Sequence, residues 1–277
     1  MIRRICISIN NRCNLRCRYC HFHEKQASIH EEDMDVPLIL SNVKRHMSLH
    51  PEIETFKIGF VGNGEPLLDL DKLKGYVLSI KDYLESGKIA AYTITNGTVT
   101  DKEGLSFLIR NNVNVGFSID GIKEIHDKWR CGSFDAVMKG IEAYKEITGK
   151  YPSMNCTVGQ DVIDRADETI AFFSRFANRI TFSRMIGRYG ISMERFRTFI
   201  AKASEHLNVR TGGYDCTMYG GKCAAGIDNL YFANGRIFIC GNCVDLPTPY
   251  ISSTPLDDVD FNISHSDRNL CYKESLR

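Results

Sequence analysis

The sequence lacks both a long apolar run and a strong excess of charge of one sign. No stretch approaches the length that spans a bilayer, and the net charge of the 277 residues is only +1. We therefore expect no membrane insertion and no nucleic-acid binding driven by overall charge. No apolar signal-peptide segment follows the first residues, which favours a cytoplasmic location.

Cysteine, in contrast, is abundant, with eleven residues. Without a secretory signal, so many thiols favour metal binding in a reducing compartment over disulfide bonds. The hydrophobic content of 43% is enough for a sizeable core, and the length suits one barrel-sized domain with a small appendage.

Short β-branched runs alternate with amphipathic stretches over the first three quarters of the chain. The runs predict strands at residues 3–9, 55–61, 89–95, 114–119, 154–158 and 179–185. The amphipathic stretches predict helices at residues 36–47, 71–84, 102–109, 134–147, 169–177 and 193–206. This alternation indicates an α/β fold with a parallel sheet and right-handed crossovers. Six such units favour a partial barrel, although a doubly wound open sheet would give a similar pattern.

Three cysteines, Cys13, Cys17 and Cys20, occur on a polar, arginine-rich loop directly after the first predicted strand. A cubane iron–sulfur cluster contains four irons and normally takes four thiolates. A loop that offers three thiolates leaves one iron open to an exogenous ligand, as in catalytic metal sites. The alternative is a zinc site, with His21 or His23 as a further ligand.

The segment CNLRCRYC at residues 13–20 resembles the cluster-binding motif of the radical S-adenosylmethionine (SAM) superfamily. Further matches are GNGEP at residues 62–66, TNG at 95–97 and SIDG at 118–121. The segment 118–135 is similar to the branch with SPASM or twitch extensions. The resemblance implies a partial (β/α)6 barrel at residues 1–207 and a small cysteine-rich, twitch-like β-hairpin extension at residues 208–277. The composition changes near the same boundary, where long helices stop and glycine and cysteine become more frequent.

The resemblance also implies that SAM lies against loops at the carboxyl ends of the strands. The expected cofactor-binding residues are Tyr19, Asn63, Gly64, Glu65, Thr95, Asn96, Ser118, Asp120 and Arg130. The glutamate region is expected near the SAM amino group, and Arg130 offers a planar fork that matches a carboxylate. Two alternatives remain open: Ser118 and Asp120 would also suit a helix cap, and Arg130 would also suit a surface ion pair.

The C-terminal quarter contains five further cysteines: Cys216, Cys223, Cys240, Cys243 and Cys271. Between Cys223 and Cys240, two apolar runs flank an Asn-Gly pair and predict a β-hairpin. Cysteines at both ends of a hairpin can converge on a metal. The spacing C-x11-G-x4-C matches the signature of the extension, so the resemblance implies one auxiliary [4Fe–4S] cluster. Cys243 and Cys271 compete for the fourth ligand position, and a zinc-bound knob is the alternative.

Taken with these features, the resemblance implies an enzyme that cleaves SAM reductively at a [4Fe–4S] cluster, with flavodoxin or ferredoxin as the electron donor. The expected activity is that of an oxidoreductase or maturase that oxidises or cross-links a peptide or protein side chain. A dehydrogenase of a small alcohol, such as an aminocyclitol or sugar, is the alternative, and a non-catalytic metal-binding or electron-carrier protein is a third. No catalytic base is identified; Asp215, Asp228 and Asp245 are candidates only through their nearness to the C-terminal cysteines.

Overall fold

The computed structural model describes residues 1–20, 22, 34–99, 101–176, 178–210, 216–261 and 268–275. The strands are β1 (Arg4–Ser8), β2 (Phe56–Val61), β3 (Ile89–Thr95), β4 (Val113–Ser118), β5 (Ser153–Val158), β6 (Ile180–Arg184), β7 (Asn229–Ala233) and β8 (Arg236–Phe238). The helices are α1 (Val36–Leu49), α2 (Leu70–Ser79), α3 (Lys81–Glu85), α4 (Lys102–Arg110), α5 (Lys123–Trp129), α6 (Phe134–Thr148), α7 (Gln160–Asp164), α8 (Ala166–Ser174), α9 (Met193–Ser204) and α10 (Tyr272–Ser275).

All eight strands form one sheet, in the order β6-β5-β4-β3-β2-β1-β7-β8. Strands β1 to β6 are parallel, and each pairs with its neighbour in the sequence. A doubly wound sheet reverses its strand order at a switch point, and β1 to β6 show no such reversal. The predicted α/β class with a parallel sheet is therefore confirmed, and the order of the strands is that of a partial barrel.

The predicted C-terminal hairpin is formed by β7 and β8, which pair in antiparallel fashion. Strand β7 also pairs in parallel with β1, with Arg4 opposite Asn229 and Ile7 opposite Phe232. The hairpin therefore extends the sheet of the barrel at its β1 edge. The division of the chain into domains at residues 207 and 208 stays a prediction.

The two faces of the sheet differ in chemistry because side chains alternate along a strand. Ile5, Ile7 and Phe56 point into the core beneath the helices and are fully buried. Cys6 and Tyr92 lie on the opposite face and line an interior cavity of about 380 Å³. In the part of the chain that the structure describes, no helix is both long and apolar enough to cross a membrane.

Candidate functional site

The three N-terminal cysteines line a cavity of about 520 Å³ at the carboxyl ends of the parallel strands. Its wall also includes Gly62, Ile94, Ser118, Thr157 and Arg184, which lie at or next to the ends of β2 to β6. Ligands of parallel α/β sheets bind at this end. Cys13, Cys17 and Cys20 are free thiols of intermediate exposure, so they can bind a metal from the cavity side.

The spacing of the three sulfurs differs from that of a mononuclear zinc site. Cysteine ligands of one tetrahedral zinc lie about 3.8 Å apart because each Zn–S bond is about 2.3 Å. Among the described residues, only His46, His50 and Asp257 bring three potential ligand atoms within 4.8 Å of one another. The sulfurs of Cys13, Cys17 and Cys20 do not all lie within this limit, and a donor set of three thiols fits iron–sulfur ligation. His21 and His23, the further zinc ligands considered above, lie outside the described residues.

Burial raises the pKa of the Cys17 thiol to about 12, and the positive charge of Arg130 offsets part of this rise. Burial likewise raises the pKa of Cys13. A thiol must lose its proton to bind a metal. We therefore expect metal binding at this loop to release protons at neutral pH.

The backbone of the cysteine loop packs directly against the glycine loop after β2. Glu65 N donates to Arg12 O over 2.7 Å, and Asn10 Nδ2 donates to Glu65 O over 3.0 Å. A Cβ atom on Gly64 would lie 2.0 Å from Arg12 O and 2.4 Å from Asn10 Oδ1. Glycine at position 64 therefore allows the two loops to pack this closely, because it has no Cβ atom.

Replacing Gly64 by alanine should displace the cysteine loop, because Arg12 O belongs to the backbone and cannot rotate away. We expect a destabilisation of roughly 1–3 kcal/mol, as is typical of overpacking, together with lower iron content after reconstitution. Gly75→Ala is a matched control because no atom lies within 4 Å of the added Cβ. Urea unfolding and iron analysis check the prediction; normal iron content and stability of the Gly64 variant would refute it.

The Glu65 carboxylate is buried and is fully used by the protein. Its Oε1 accepts hydrogen bonds from Leu67 N (3.0 Å) and Thr95 Oγ1 (2.7 Å), and its Oε2 accepts one from Asn96 N (2.6 Å). Burial raises the pKa of Glu65, and these hydrogen bonds offset part of the rise. Thr95 is fully buried and does not line the cavity. Glu65 and Thr95 thus hold Asn96 in place.

Asn96 is the member of this group that reaches the cysteine loop. Its Nδ2 donates to Asn14 Oδ1 over 2.8 Å and lies 3.9 Å from Cys13 Sγ. Asn14 Nδ2 donates in turn to Thr98 Oγ1 over 2.7 Å. Sequence reasoning missed Asn14, although its position inside the cysteine motif was a usable signal.

Asp120 holds two residues of the cavity wall and does not line the cavity itself. Its Oδ2 accepts from Tyr19 Oη (2.6 Å) and Arg130 Nε (2.8 Å), and its Oδ1 accepts from Thr157 N (2.9 Å). The side chains of Arg130 and Asp120 are 10% and 1% exposed, so this is a buried ion pair. Asp120 does not cap the next helix, whose N-cap is Ile122.

His126 supports the same turn as a neutral side chain. Asp120 N donates to His126 Nδ1 over 3.2 Å, and His126 Nε2 lies 3.0 Å from Ser133 Oγ. Because Nδ1 accepts, the neutral ring carries its proton on Nε2. Burial lowers the pKa of His126 to about 4, so the ring remains neutral at pH 7.

Asn63 joins the glycine loop to the hairpin. Its Oδ1 accepts from Tyr231 Oη over 2.9 Å, and its Nδ2 donates to Asn11 Oδ1 over 2.8 Å. Asn11 Nδ2 donates to Asn234 Oδ1 over 2.7 Å at the hairpin turn. Asn63 lines the cavity, but its amide is engaged by the protein on both sides.

The five C-terminal cysteines lie near one another at the end of the hairpin. Cys223 and Cys243 are buried in one small apolar cluster, which Cys240 contacts. The sulfurs of Cys240 and Cys243 are 3.5 Å apart. Burial raises the pKa of Cys216 to about 12, with smaller contributions from the nearby Cys240, Cys271 and Cys223. A metal site here stays a prediction. The five thiols exceed the four that one cubane cluster needs.

Two of the candidate bases near these cysteines are placed by the structure. Both carboxylate oxygens of Asp245 lie 2.8 Å from Lys273 Nζ. Asp228 accepts a hydrogen bond from its neighbour Asn229 over 3.1 Å. Asp215 lies outside the described residues. Neither Asp228 nor Asp245 lines the cavity at the cysteine loop.

The cavity wall contains two arginines that sequence reasoning missed, Arg184 and Arg188. Arg184 ends β6 and is 6% exposed. Its Nη1 donates to Ile191 O over 2.8 Å, and its Nη2 donates to Glu274 Oε2 over 2.6 Å. Its position at the carboxyl end of the sixth strand was the available signal, because Ile94, Ser118 and Thr157 line the cavity from the same end of β3 to β5.

Comparisons with known proteins agree with this geometry. The sequence profile of the radical SAM superfamily matches residues 7–173, more than half of the chain. The cysteine-type anaerobic sulfatase-maturating enzyme of Clostridium novyi (strain NT) is 29% identical over 175 residues, which are 60% of this chain and 46% of that enzyme. The chain therefore spans about half the length of this curated relative.

Solved structures share the fold over nearly the whole chain. The structure of native anSMEcpe with bound AdoMet and Cp18Cys peptide superposes with a TM-score of 0.74 at 19% identity, covering 99% of this chain and 85% of that one. BtrN in complex with AdoMet and 2-DOIA gives a TM-score of 0.50 at 14% identity, covering 93% and 81%. At these identities, the similarity shows the fold alone.

Proposed function

Because this chain belongs to the radical SAM superfamily, we propose that it is an oxidoreductase that modifies a side chain of a peptide or protein. The observation that carries this proposal is the set of three free thiols on one loop, in the wall of a 520 Å³ cavity at the carboxyl ends of the strands. The matched sulfatase-maturating enzyme supports a protein substrate.

In this proposal, Cys13, Cys17 and Cys20 hold a [4Fe–4S] cluster that has one iron open to SAM. When bound, the cluster supplies the electron that splits SAM into methionine and a 5′-deoxyadenosyl radical, which removes a hydrogen atom from the substrate. The chain's own task is to position SAM and to limit the access of water.

Several groups of the cavity wall suit the polar parts of SAM. Arg130 is fixed through Nε by Asp120, which directs a guanidinium toward the carboxylate of the methionine moiety. Ser118 provides a hydroxyl that suits the ribose. Asn96 also lines the cavity, and its amide is engaged by Asn14 and Thr98. Glu65 holds Asn96, and Asp120 holds Arg130. Glu65 itself lines the cavity, but its carboxylate is engaged by donors of the protein, whereas Thr95 and Asp120 do not line the cavity.

The substrate would enter beside SAM, where the cavity wall is formed by the end of β6 and the C-terminal segment. Tyr189, Met218 and Lys273 belong to this wall. The interior cavity of about 380 Å³ shares Gly62, Ile94 and Asn242 with the first cavity. In this proposal, the second cavity beside the SAM site would suit an extended substrate.

The C-terminal cysteines would hold one auxiliary [4Fe–4S] cluster, as in the SPASM and twitch branch. Cys216, Cys223 and Cys240 are its proposed ligands, with Cys243 or Cys271 as the fourth. When bound, this cluster would accept the electron left on the substrate, so that the net reaction is an oxidation. A flavodoxin or ferredoxin is the proposed donor, and a cytoplasmic setting agrees with the free thiols.

A dehydrogenase of a small alcohol is the second candidate. The fold of BtrN, whose structure contains AdoMet and 2-DOIA, covers 93% of this chain. A small substrate would occupy the same cavity, so the fold does not separate the two candidates. The difference lies in which compound stimulates SAM cleavage.

The test is deoxyadenosine formation by the reduced, reconstituted holoenzyme with two classes of probe. We expect a peptide library that includes the Cp18Cys peptide to raise deoxyadenosine formation about tenfold above the rate without substrate, because a bound substrate provides the hydrogen atom. Mass spectrometry should show a peptide product that has lost two hydrogen atoms. Stimulation by 2-DOIA and by no peptide fraction would favour the alcohol dehydrogenase instead.

A further inference from the structure

His46, His50 and Asp257 bring three potential metal-ligand atoms within 4.8 Å of one another, far along the chain from the cysteine motif. His46 lies in the last turn of α1, and His50 is the C-cap residue of this helix. Asp257 lies in the 3-10 turn Leu256–Asp258 of the C-terminal segment. His46 Nδ1 lies 2.8 Å and His50 Nε2 lies 2.7 Å from the same atom, Asp257 Oδ1.

The remaining ring nitrogens of both histidines are held by acceptors. His46 Nε2 lies 2.9 Å from the carbonyl oxygen of Ile2. A carbonyl can only accept, so Nε2 donates its N–H, and Nδ1 is the nitrogen that faces Asp257 and that a metal would bind in place of a proton. His50 Nδ1 lies 3.4 Å from Glu52 Oε1. Metal-binding histidines show this arrangement, in which the second N–H is directed at a backbone carbonyl or a carboxylate.

We propose that His46 Nδ1, His50 Nε2 and an Asp257 carboxylate oxygen bind a divalent transition metal ion. Two imidazoles and one carboxylate are a donor set that suits Zn²⁺. The His50 and Asp257 side chains are 31% and 30% exposed, which leaves room for water as a fourth ligand. His46 itself is buried, so the site has one rigid ligand and two that solvent can reach.

The site lies at the opposite end of the barrel from the cysteine loop. Ile2, which orients His46, lies two residues before the first residue of β1, whereas Cys13 follows the carboxyl end of that strand. The proposal is therefore independent of the proposed catalytic function. None of the three ligands lines the cavity at the cysteine loop.

The metal would fasten the C-terminal segment to the first helix of the barrel. The pair His50–Asp257 joins residues that are 207 positions apart in the chain. Asn42 Nδ2 of the same helix donates to Ser253 O over 3.0 Å, so the two segments already meet without the metal. A bound ion adds a strong crosslink at this contact, and it would stabilise the folded state because the unfolded chain lacks the site.

The test uses the holoenzyme with its iron–sulfur clusters reconstituted, so that the cysteines of both clusters are occupied. Zn²⁺ is added, excess is removed, and zinc per chain is measured by mass spectrometry. We expect one Zn²⁺ per chain in the wild type and in the controls Asp258→Asn and His206→Gln, which change exposed residues. Asp257→Asn and His50→Gln should bind zinc at least ~100-fold more weakly, and Glu52→Gln about 10-fold more weakly, as loss of an orienting partner predicts.

Co²⁺ in place of Zn²⁺ identifies the ligands by a second measurement. A histidine and carboxylate site gives weak d–d bands without the intense sulfur-to-cobalt absorption of cysteine ligation, and Asp257→Asn should abolish the d–d bands. Failure of the wild type to bind Zn²⁺, equal binding by Asp257→Asn and Asp258→Asn, or a sulfur-to-cobalt band would each overturn the proposal. In those cases, the three residues form only a hydrogen-bonded contact.

Discussion

Replacing Cys13, Cys17 and Cys20 together by alanine should abolish SAM cleavage and remove about half of the iron from the reconstituted protein. The three thiols are the cysteines that line the 520 Å³ cavity, so the variant has no thiolates left to hold a cluster there. If each proposed cluster contains four irons, the iron content should fall from about eight to about four per chain. Deoxyadenosine formation should fall to the level of a sample without protein.

The control for this triple variant is Cys131→Ala, which removes an exposed thiol that belongs to neither cysteine group. Iron content and deoxyadenosine formation of this control should equal those of the wild type. Unchanged iron in the triple variant would mean that the loop holds no cluster, and persistent cleavage of SAM would contradict the mechanism. A wild-type content of about four irons would instead remove the auxiliary cluster while leaving the cysteine loop in place.

The strands of this fold could be predicted from the sequence because buried parallel strands are short, continuous and rich in β-branched residues. All six predicted barrel strands agree with β1 to β6 within one residue at each end. Helices were less regular. The predicted helix 71–84 is interrupted at Ile80. Helices α5 and α7 were not predicted because they have only seven and five residues, respectively, which is too short for a clear periodicity.

The positions of the site residues could be predicted, but their individual contacts could not. Every motif follows a strand, so the parallel fold brings all of them to one end. Spacing does not show which way a side chain points, however. Glu65 and Asp120 were expected around SAM, and their carboxylates are used by Thr95, Asn96, Tyr19 and Arg130 instead. Their assignment as SAM ligands stays a prediction; both hold residues that line the cavity, and Glu65 also lines it.

Contacts between distant parts of the chain gave no local signal at all. The pairing of β7 with β1 and the convergence of His46, His50 and Asp257 join segments more than 200 residues apart. The Asn-Gly turn does not indicate that β7 pairs with β1, and the spacing of His46 and His50 does not indicate that Asp257 lies beside them. Such contacts depend on the tertiary arrangement of the whole chain, and local sequence patterns do not indicate that arrangement.

Replacing Asp120 by asparagine should destabilise the protein by about 3–5 kcal/mol, because the change leaves the buried Arg130 guanidinium without its counter-charge. In the wild type, Tyr19 and Arg130 both donate to Asp120 Oδ2, and Thr157 N donates to Oδ1. The side-chain oxygen of asparagine can still accept from Thr157 N, but its NH2 group cannot accept from Tyr19 and Arg130. For a chain of this size, the midpoint of thermal unfolding should fall by roughly 6–20 °C.

The same substitution should weaken SAM binding, because Asp120 fixes both Tyr19 and Arg130 in the cavity wall without touching the cavity itself. We expect an increase of at least ~10-fold in the dissociation constant of SAM, the usual size of a lost orienting contact. Asp135→Asn is the matched control, since Asp135 pairs with Lys123 at the exposed surface, where such pairs contribute little. Unfolding and SAM titration of both variants in the reconstituted protein separate the two effects. If Asp120→Asn binds SAM as the wild type does while its stability falls, Asp120 supports only the fold; if the two variants behave alike, the buried pair has no special role.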